Sequence, residues 1–511
     1  GRGGVSMVMK RYLNQITADE AVAIIKSVPP HCSSRRIPVV DAVGHRLSAS
    51  LFAQYSVPEV PVSAMDGFAV RSSETVGAGD QTPVVLRVFS RVNTGNVIPG
   101  EFDAVVRVED AWFEGEDPHE ITVRKSVNPG TNVRPAGEDI KKGQLILPAG
   151  TVIRPFDVGA IAAYGITHVN VSRVSVGILP TGTELIEPGT KPRPGQVVES
   201  NTVMAEAYLR QFGVDVVRYP PVVDDPILIR GALERVLAEN DVVIVSAGSS
   251  AGTKDFTASV IEEMGKLLFH GVAMKPAKPA MFGVIEGKPV FGLPGYPLSA
   301  QTVLRLFVRE LLENWGWTGP AQEFVQVKLG DSISSEGGID EFSLHAAARL
   351  GDRYVVIPQS RGASVQMTGV RSNVVIRIPF GVEGFEAGEE APALLTVPRE
   401  ELERTVLIAG VYDPVLDVLA ETAMSANVRV RCGNFSGLSG LLLLMKNCCH
   451  AVCITDEADL GVLGDLKVLV RPLGQNSERS AVRIVFREEM ENDPLMQKLF
   501  LVMDAVNSGS N

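Results

Sequence analysis

The sequence predicts a multidomain protein of the α/β plus β class. We expect a doubly wound, mostly parallel α/β core domain, extended β domains, a small β-barrel and a C-terminal α/β module. The chain of 511 residues is long enough for three or more domains. Strands alternate with helices between residues 173 and 318, and short β-prone runs separated by glycine and proline turns flank that region.

The N-terminal third combines one helix with short strands. Apolar residues at helical spacing predict a helix from about residue 13 to residue 28, which Pro29 and Pro30 end. Residues 10–55 and 149–172 are expected to form this helix and a linking β region. Between them, short β-prone runs predict an extended β domain over residues 56–148.

Residues 173–318 are expected to form the α/β domain, because strand and helix patterns alternate there. In a doubly wound sheet, ligands bind in loops at the carboxyl ends of the strands. The predicted strands span residues 174–179, 214–219, 241–246, 267–274 and 290–293. The predicted helices span residues 202–212, 226–239, 256–265 and 298–314.

The C-terminal part is expected to hold two further domains. Short strands divided by glycine-rich turns predict a small β-barrel over residues 319–396. The stretch 381–398 is rich in Gly, Glu and Pro and is predicted to be a linker. Alternating strands and helices then predict a small α/β module over residues 400–511.

Composition limits the classes of partner. The net charge of −12 argues against a nucleic-acid surface, because such surfaces are basic. No apolar segment approaches the length of a membrane span, and the first residues lack the apolar stretch of a signal peptide. Five cysteines, an odd number in so long a chain, do not suggest a disulfide framework. We therefore expect a cytoplasmic protein with no nucleic-acid or membrane partner.

The segment from Ser246 to Asp255 is the most informative part of the chain. An apolar strand ends there in small residues, which include Gly248, Ser249 and Ser250, and runs into a helix. Free N–H groups in such a turn bind anions, usually phosphates. Asp255 supplies a hard oxygen ligand of the kind that Mg²⁺ needs. Taken alone, the segment fits equally well with Asp255 as a simple helix cap.

Other loops at predicted strand ends carry the same kind of residue. Glu184 lies on a glycine-containing turn, and Asp224 precedes Asp225, which is the natural cap of a helix that begins at Pro226. Surface lysines are usually only solvated, but prolines fix Lys275 and Lys278 near the predicted anion site, which favours phosphate contacts. The rigid turn from Pro294 to Pro297 leads into another helix with free N–H groups.

The β region adds Asp66, Thr94 and Asp139, each of which is also compatible with an ordinary turn. The whole set supplies acids for a metal, and glycine turns and lysines for phosphates. It contains no nucleophile beside a base. Such a site would bind a phosphorylated ligand with Mg²⁺ and act by positioning and charge neutralisation.

Six motifs in order identify a resemblance. Residues from about 10 to 396 resemble the molybdopterin molybdenumtransferase family, the molybdenum insertases that include the E domain of gephyrin. Each motif is weak alone, and together they are specific. They are Ser-Ala-Met-Asp-Gly-Phe-Ala at 63–69, Gly-Glu-Asp-Ile at 137–140, Pro-Thr-Gly-Thr-Glu-Leu at 180–185, Ser-Ala-Gly-Ser-Ser-Ala-Gly-Thr-Lys-Asp-Phe at 246–256, Lys-Pro-Ala-Lys-Pro at 275–279 and Gly-Leu-Pro-Gly-Tyr-Pro-Leu-Ser-Ala at 292–300.

The resemblance implies an enzyme of molybdenum cofactor biosynthesis that inserts molybdate into adenylylated molybdopterin and releases AMP, with Mg²⁺ as cofactor. It also implies a homodimer in which the extended domain of one subunit approaches the α/β domain of the other. Molybdoenzymes or other proteins of the cofactor pathway are possible partners, and tungstate is the chemical alternative to molybdate. The implied catalytic residues are Asp66, Glu184 and Asp255; the implied metal ligands are Asp224, Asp255 and Glu184; the implied substrate-binding residues are Thr94, Asp139, Gly248, Ser249, Ser250, Lys275, Lys278, Pro294 and Pro297.

This chain departs from the family pattern in places. Many members have Asn at the position of Tyr296 and an acid at the position of Thr183. The segment from about residue 400 is not part of the common insertase and resembles a shortened periplasmic-binding-protein-like module. Its four cysteines and His450 do not have the spacing of a standard zinc module, so we expect free, buried cysteines.

Two other functions remain open at the level of sequence. The α/β domain alone would suit a Mg²⁺-dependent hydrolase or adenylyltransferase that acts on another nucleotide-linked substrate. The acidic residues Asp66 and Asp139 in the β region argue against that alternative, because a bare nucleotide domain would not need them. A gephyrin-like scaffold is the other alternative, which the additional C-terminal module favours.

Overall fold

The structure is a computed structural model that describes residues 15–247, 256–359, 362, 365–474 and 482–509. The chain forms two compact units. One comprises Cys32–Arg173, and the other comprises Gly1–His31 together with Val174–Asn511. Within the described ranges, no helix has the length and apolar character that a membrane crossing requires.

The unit Cys32–Arg173 is built almost entirely from short strands, as the sequence predicts. The strands Ser33–Pro38 and His168–Arg173 pair antiparallel. The helix Pro155–Ala163 directly precedes the second of these strands in the sequence. Two three-stranded sheets share one apolar cluster around Phe68, and a second cluster, which includes Ala69 and Val105, lies on the other face of one of them. These sheets consist of Ser90–Val92, Gly67–Val70 and Ala104–Arg107, and of Val84–Leu86, Ile121–Val123 and Ala111–Trp112. The two-stranded pairs are Leu51–Phe52 with Leu145–Leu147 and Val62–Ser63 with Val133–Arg134.

The second unit contains the predicted α/β domain, built on a six-stranded sheet. Four neighbouring strands are parallel, and the last two complete the sheet as an antiparallel extension. In spatial order the strands are Asp215–Arg218, Ser175–Pro180, Val242–Ser246, Lys288–Leu293, Met281–Ile285 and Lys266–His270. The helices are Ala18–Lys26, Asn201–Arg210, Pro226–Glu239, Phe256–Met264, Pro297–Val303 and Arg309–Asn314, with a π-helical turn at Leu304–Val308 between the last two.

Both faces of this sheet are covered, which confirms the doubly wound architecture. On the central strand, Val242 and Ile244 join one apolar cluster, whereas Val243 and Val245 join another. Successive side chains of a strand point to opposite faces, so an uninterrupted apolar run requires a core on each side. The carboxyl end of this strand therefore meets the loops between the two layers of helices.

The predicted small β-barrel is present, but the predicted linker is wrong. The strand Glu390–Leu395 lies inside the stretch 381–398 and pairs with two other strands of the barrel. Because Asp340–Leu350 pairs with both of its neighbours in the ring, five strands close into a barrel. In a closed barrel each strand has a hydrogen-bonded neighbour on both sides. Backbone hydrogen bonds therefore hold the strand Glu390–Leu395 in place, although its segment is rich in Gly, Glu and Pro. The ring order is Asp340–Leu350, Arg353–Pro358, Phe324–Leu329, Glu390–Leu395 and Val374–Ile378.

The C-terminal α/β module is also confirmed. It contains a five-stranded sheet whose helices cover both faces, and its apolar residues form two clusters. One cluster includes barrel residues such as Val355 and Ile357, so the module packs on the barrel. The strands in spatial order are Arg429–Cys432, Thr405–Gly410, Ala451–Ile454, Arg483–Arg487 and Val468–Pro472. The helices are Arg399–Glu403, Pro414–Ala423, Gly437–Met445 and Pro494–Ser508. Its resemblance to periplasmic binding proteins stays a prediction.

Candidate functional site

A cleft of about 550 Å³ opens at the carboxyl ends of the parallel strands. We call it the strand-end cleft. Its position is the one that a doubly wound sheet offers for a ligand, and its volume lies in the usual range for small-molecule sites. The lining residues come from several loops that are distant in sequence: Leu185, Val197, Val198, Glu199, Ser200, Asn201, Ser246, Ala247, Gly295, Tyr296, Pro297 and Gln366.

The segment predicted to bind an anion begins in this cleft. Ser246 ends the central strand, and both Ser246 and Ala247 line the cleft. The Ser246 carbonyl oxygen accepts hydrogen bonds from the Thr181 N–H at 2.7 Å and its hydroxyl at 3.1 Å, which joins this strand end to the turn that carries Glu184. Gly248, Ser249, Ser250 and Asp255 lie outside the described residues.

Glu184 has an incompletely satisfied carboxylate. Its Oε1 atom is buried and has no hydrogen-bond partner among the described residues. The carboxylate lies over Gly182, because a Cβ atom at residue 182 would be 3.1 to 3.2 Å from its two oxygens. The neighbouring Leu185 lines the cleft. A buried carboxylate oxygen without a donor is costly unless a cation or a ligand donor meets it.

Asp224 and Asp225 differ in their local roles. Asp225 caps the helix Pro226–Glu239, since its side chain accepts from the N–H groups of Ile227 at 2.9 Å and Leu228 at 3.1 Å. This confirms the predicted cap. Asp224 is exposed, and a bridge between Thr181 and Val222 brings its segment beside the turn that holds Glu184. Asp224 and Glu184 therefore belong to adjacent backbone segments.

The sequence prediction missed several polar residues of the cleft, among them Glu199 and Asn201. Glu199 is only 3% exposed and accepts hydrogen bonds from the N–H and hydroxyl of Thr202. Asn201 donates to the Gly295 carbonyl oxygen at 2.9 Å and so fixes the loop between Pro294 and Pro297. Both residues lie where a short strand meets a helix, the same pattern that identified the Ser246 segment. That local signal was present in the sequence.

The loop from Pro294 to Pro297 forms one wall of the cleft. Pro294 is buried, while Pro297 lines the cleft and begins the helix Pro297–Val303. Tyr296 also lines the cleft and is 44% exposed. The family departure at this position therefore places an aromatic ring where it can contact a ligand.

Lys275 and Lys278 are not lining residues of the strand-end cleft. Lys275 lies on the short strand Met274–Lys275, which leaves the α/β sheet and pairs with Asp340 and Glu341 of the barrel. Both lysines are exposed, and neither ammonium group has a hydrogen-bond partner in the described part of the chain. They are available to an anion, and their role as phosphate contacts stays a prediction.

The structure brings together Asp66 and Thr94 in the unit Cys32–Arg173. The Asp66 Oδ1 atom accepts hydrogen bonds from the Thr94 N–H at 2.8 Å and from the Thr94 hydroxyl at 3.1 Å. The backbone bond first, and then the side-chain bond, lower the pKa of Asp66 below its ordinary value, because both favour the ionised carboxylate. In the same unit, Asp139 accepts from the Tyr164 hydroxyl at 2.9 Å, which raises the pKa of Tyr164.

The predicted Mg²⁺ site stays a prediction. No group of three or more His, Cys, Asp or Glu side chains within the described ranges could hold a metal ion. The predicted ligand set includes Asp255, which lies outside those ranges. The orphaned oxygen of Glu184, together with the adjacent segment of Asp224, fits one side of an oxygen-ligand site for Mg²⁺.

The cysteines of the C-terminal module are free, and most of them are packed in its core. Cys448, Cys449 and Cys453 are buried, and Cys432 is partly buried. Burial raises the pKa of Cys432 and of Cys453 to about 12, so both stay thiols at neutral pH. Burial also lowers the pKa of His450 to about 4, and its Nδ1 atom accepts from the Leu407 N–H at 3.1 Å. These groups act as core residues, as predicted.

Two family models match the chain. The model described as "MoeA N-terminal region (domain I and II)" matches residues 16–165. The model described as "Probable molybdopterin binding domain" matches residues 177–314, a range that contains Glu184 and the Pro294 loop. The matched ranges thus hold both the Asp66–Thr94 pair and most of the strand-end cleft.

Curated relatives and solved structures agree with these matches. The chain is 32% identical over 352 residues to molybdopterin molybdenumtransferase 2 of Mycobacterium tuberculosis, covering 64% of this chain and 86% of that protein. It is 30% identical over 374 residues to a putative molybdopterin biosynthesis protein of Methanocaldococcus jannaschii, covering 70% and 90%. A crystal structure of the molybdopterin biosynthesis moeA protein from Pyrococcus horikosii shows 29% identity and a TM-score of 0.61, covering 75% of this chain and 99% of that chain.

Proposed function

Because this chain belongs to the molybdopterin molybdenumtransferase family, we propose that it inserts molybdenum from molybdate into adenylylated molybdopterin and releases AMP. Family membership makes the chain an enzyme of molybdenum cofactor biosynthesis. The substrate form, the leaving group and the metal dependence are the proposed part.

The observation that carries the proposal is the composition of the strand-end cleft. Loops after several strands converge there, and they present hydroxyl groups, a rigid proline loop and the buried carboxylate of Glu199. Glu184, with its unsatisfied oxygen, lies directly before the lining residue Leu185. A cleft of this kind binds and orients a polar, phosphorylated ligand, and it contains no side-chain pair that would serve as nucleophile and base among its described lining residues.

Magnesium is proposed as the cofactor. Glu184 and Asp224 would hold it, together with Asp255. When bound, Mg²⁺ would neutralise phosphate charge and make AMP a better leaving group. The protein's own contribution is to position the Glu184 carboxylate, since Gly182, which has no Cβ atom, lets that side chain fold closely over the turn.

The remaining predicted residues have distinct proposed tasks. The N–H groups of Gly248, Ser249 and Ser250 would bind oxyanions, and Lys275 and Lys278 would neutralise them. Asp66, held ionised by Thr94, would orient a polar group of the substrate, and Asp139 would do the same from its own loop. Asn201 would keep the Pro294–Pro297 loop in place for the pterin.

Several broader features belong to the same proposal. We expect a homodimer in the cytoplasm, with molybdate as the oxyanion substrate and tungstate as its chemical alternative. Size-exclusion chromatography with light scattering would measure the oligomeric state, and parallel reactions with both oxyanions would measure the preference. Docking to molybdoenzymes, or a gephyrin-like scaffold role, would show as stable complexes in a pulldown.

The direct test is transfer of molybdenum to the pterin. Purified protein is incubated with adenylylated molybdopterin, molybdate and Mg²⁺, and the molybdenum that stays with the pterin is measured by mass spectrometry. Glu184→Gln should reduce transfer by about 100-fold, the upper range for weakening a metal site. Glu187→Gln, an exposed neighbour on the same loop, is the matched control and should transfer normally. Equal transfer by both variants would refute the role of Glu184.

The alternative hydrolase or adenylyltransferase activity predicts a different pattern. Such an enzyme would act on a nucleotide-linked substrate without molybdate and without pterin. A panel of dinucleotides and nucleotide sugars with Mg²⁺ would reveal that activity. We expect no turnover, because the chain also carries the Asp66–Thr94 pair that a bare nucleotide domain does not need.

A further inference from the structure

A second cavity, of about 450 Å³, lies against the C-terminal module, and none of the site residues assigned above lines it. We call it the module cavity. Three elements form it: the helix Pro414–Ala423, the edge strand Arg429–Cys432 and the short helix Gln366–Arg371 that follows the barrel strand Arg353–Pro358. The cavity has the volume of an ordinary small-molecule site.

The walls of the module cavity carry opposite charges. Arg429 and Arg431 come from the edge strand, and Arg371 comes from the end of the short helix. The helix Pro414–Ala423 contributes Asp417 and Glu421, which share one face because they are four residues apart. A ligand in this cavity therefore meets cations on one side and carboxylates on the other.

Part of this charge has no partner among the described residues. The side chains of Arg371 and Glu421 make no ion pair or hydrogen bond there. Arg431 is only 5% exposed. Its terminal nitrogens donate to Val370 O at 3.1 Å and to Glu401 Oε1 at 2.9 Å, but its buried Nε atom has no described partner. Arg431 therefore adds positive charge to this wall, and Arg371 is the exposed cation that an anionic group in the cavity can contact.

Apolar side chains also line the module cavity. Met367, Val370 and Met424 line the cavity and are 45%, 58% and 46% exposed, respectively. Leu416 lies beneath them and is buried. Side chains of this type are exposed at a cost, and an apolar group inserted among them would remove that surface from water.

We propose that the module cavity binds a small zwitterion with a carboxylate, an ammonium group and an apolar side chain, which is the chemistry of an apolar α-amino acid. The carboxylate lies toward Arg371 and Arg431, and the ammonium group lies toward Glu421. The apolar side chain packs on Met367 and Met424. Neither a simple anion nor a simple amine would satisfy both walls.

The short helix Gln366–Arg371 connects this cavity to the strand-end cleft. Its first residue, Gln366, lines the cleft and donates to the Ser200 hydroxyl at 2.9 Å, while Met367 and Arg371 line the module cavity. Gly369 lies so close to Gln301 that an added Cβ atom would be 3.0 Å from its amide nitrogen. A ligand that fixes this helix in the module cavity also fixes one wall of the cleft. An effect of this ligand on activity rests on the proposed function of the cleft. Binding of the ligand in the module cavity does not depend on that function.

Calorimetry tests the binding site directly. L-leucine and L-methionine are titrated into the full-length protein, and 4-methylpentanoate and 3-methylbutylamine serve as probes that each lack one charge. We expect saturable binding of at least one amino acid, and at least about 10-fold weaker binding of both single-charge probes. Glu421→Gln and Arg371→Gln should each weaken binding about 10-fold, whereas Glu491→Gln, an exposed acid away from the cavity, should not. Absence of binding by both amino acids up to about 10 mM, or unchanged binding by both cavity variants, overturns the proposal.

Hydrogen exchange tests the connection between the two sites without using catalysis. Saturation with the bound amino acid should slow amide exchange in the helix Gln366–Arg371 and in the helix that begins at Asn201. Glu421→Gln at the same ligand concentration is the control and should show little slowing. Binding without any change in exchange at Asn201–Arg210 would refute the connection and leave the proposed function of the cleft untouched.

Discussion

Thr94 donates two hydrogen bonds to a single carboxylate oxygen of Asp66, one from its backbone N–H at 2.8 Å and one from its hydroxyl at 3.1 Å. Because the two residues are far apart in sequence, this pair fixes the turn before the strand Gly67–Val70 to the loop after Ser90–Val92. It also holds Asp66 in its ionised form.

The Asp66 carboxylate should titrate at higher pH when the hydroxyl is removed. In Thr94→Val the backbone bond remains and the side-chain bond is lost, so the pKa of Asp66 should rise toward its ordinary value. NMR titration of the carboxyl carbon measures this change. Thr82→Val is the control, because the Thr82 hydroxyl donates to a backbone carbonyl oxygen in the same unit. This substitution should leave the titration of Asp66 unchanged. An identical Asp66 titration in Thr94→Val would contradict the assignment.

The lowered pKa of Asp66 also determines the direction in which its contribution to stability changes with pH. A carboxylate with a depressed pKa in the folded state contributes stability above its unfolded pKa and loses it as pH falls through the folded value. The wild-type protein should therefore lose more stability than Asp66→Asn as pH falls into the acidic range. The difference between their melting temperatures, measured at neutral and acidic pH, reports this contribution.

Substitutions of the neighbouring residues Asp224 and Asp225 should change different properties of the protein, the transfer activity and the stability. Asp225→Ala removes the cap of the helix Pro226–Glu239 and should cost about 1 kcal/mol of unfolding free energy. Asp224→Asn should reduce molybdenum transfer, since Asp224 is a proposed metal ligand, and it should leave this helix cap intact because Asp225 supplies the cap. Denaturant titration and the transfer assay measure the two effects. The reverse pattern would show that the roles are exchanged.

Glu184 should contribute to Mg²⁺ binding measured without turnover. Its buried, unpartnered oxygen predicts that Glu184→Gln weakens Mg²⁺ binding by about 10- to 100-fold in calorimetry. Gly182→Ala should have a smaller effect in the same direction, because the added methyl group would displace the carboxylate. Glu187→Gln on the same loop should bind Mg²⁺ as the wild type does. Equal affinities in all four proteins would argue against a metal site here.

The C-terminal module should become less stable in mild acid. His450 is buried with a pKa of about 4, below its unfolded value, so the folded state binds fewer protons. The contribution of His450 to the free energy of unfolding is fully present above pH 6.5. It is lost as the pH drops from 6.5 toward about 4, and the loss is about 3 kcal/mol at most. His450→Asn keeps an acceptor for the Leu407 N–H and should show a flatter dependence between those values. Parallel pH curves for both proteins would refute this role.

Local sequence signals explain which elements could be predicted. The helix Pro226–Glu239 was predicted to the residue, because Asp225 and Pro226 define its start in the chain itself. The strand Met281–Ile285 was missed, since Gly283 interrupts its β-prone pattern. That glycine is required by packing, as an added Cβ atom would be 2.6 Å from Ile261. The barrel strand Glu390–Leu395 was taken for a linker because only distant pairing reveals it.

The same distinction applies to the candidate site. The roles of Asp66 and Thr94 as site residues stay predictions from the sequence, and the hydrogen bonds between these two residues are visible only in the fold. Glu199 carried a local signal that went unused, since it precedes a helix at the end of a short strand. Gln366 has no such signal. It reaches the strand-end cleft only because the barrel packs beside the α/β domain, which no local pattern encodes.

The most direct measurement of the central claim is the rate of AMP release from adenylylated molybdopterin with and without molybdate. The protein, the pterin substrate and Mg²⁺ are held constant, and AMP is measured by chromatography. An insertase couples the two events, so molybdate should raise the rate by at least about 10-fold and each AMP should accompany one molybdenum atom on the pterin. Equal AMP release in the absence of molybdate would contradict molybdenum insertion as the function of this chain.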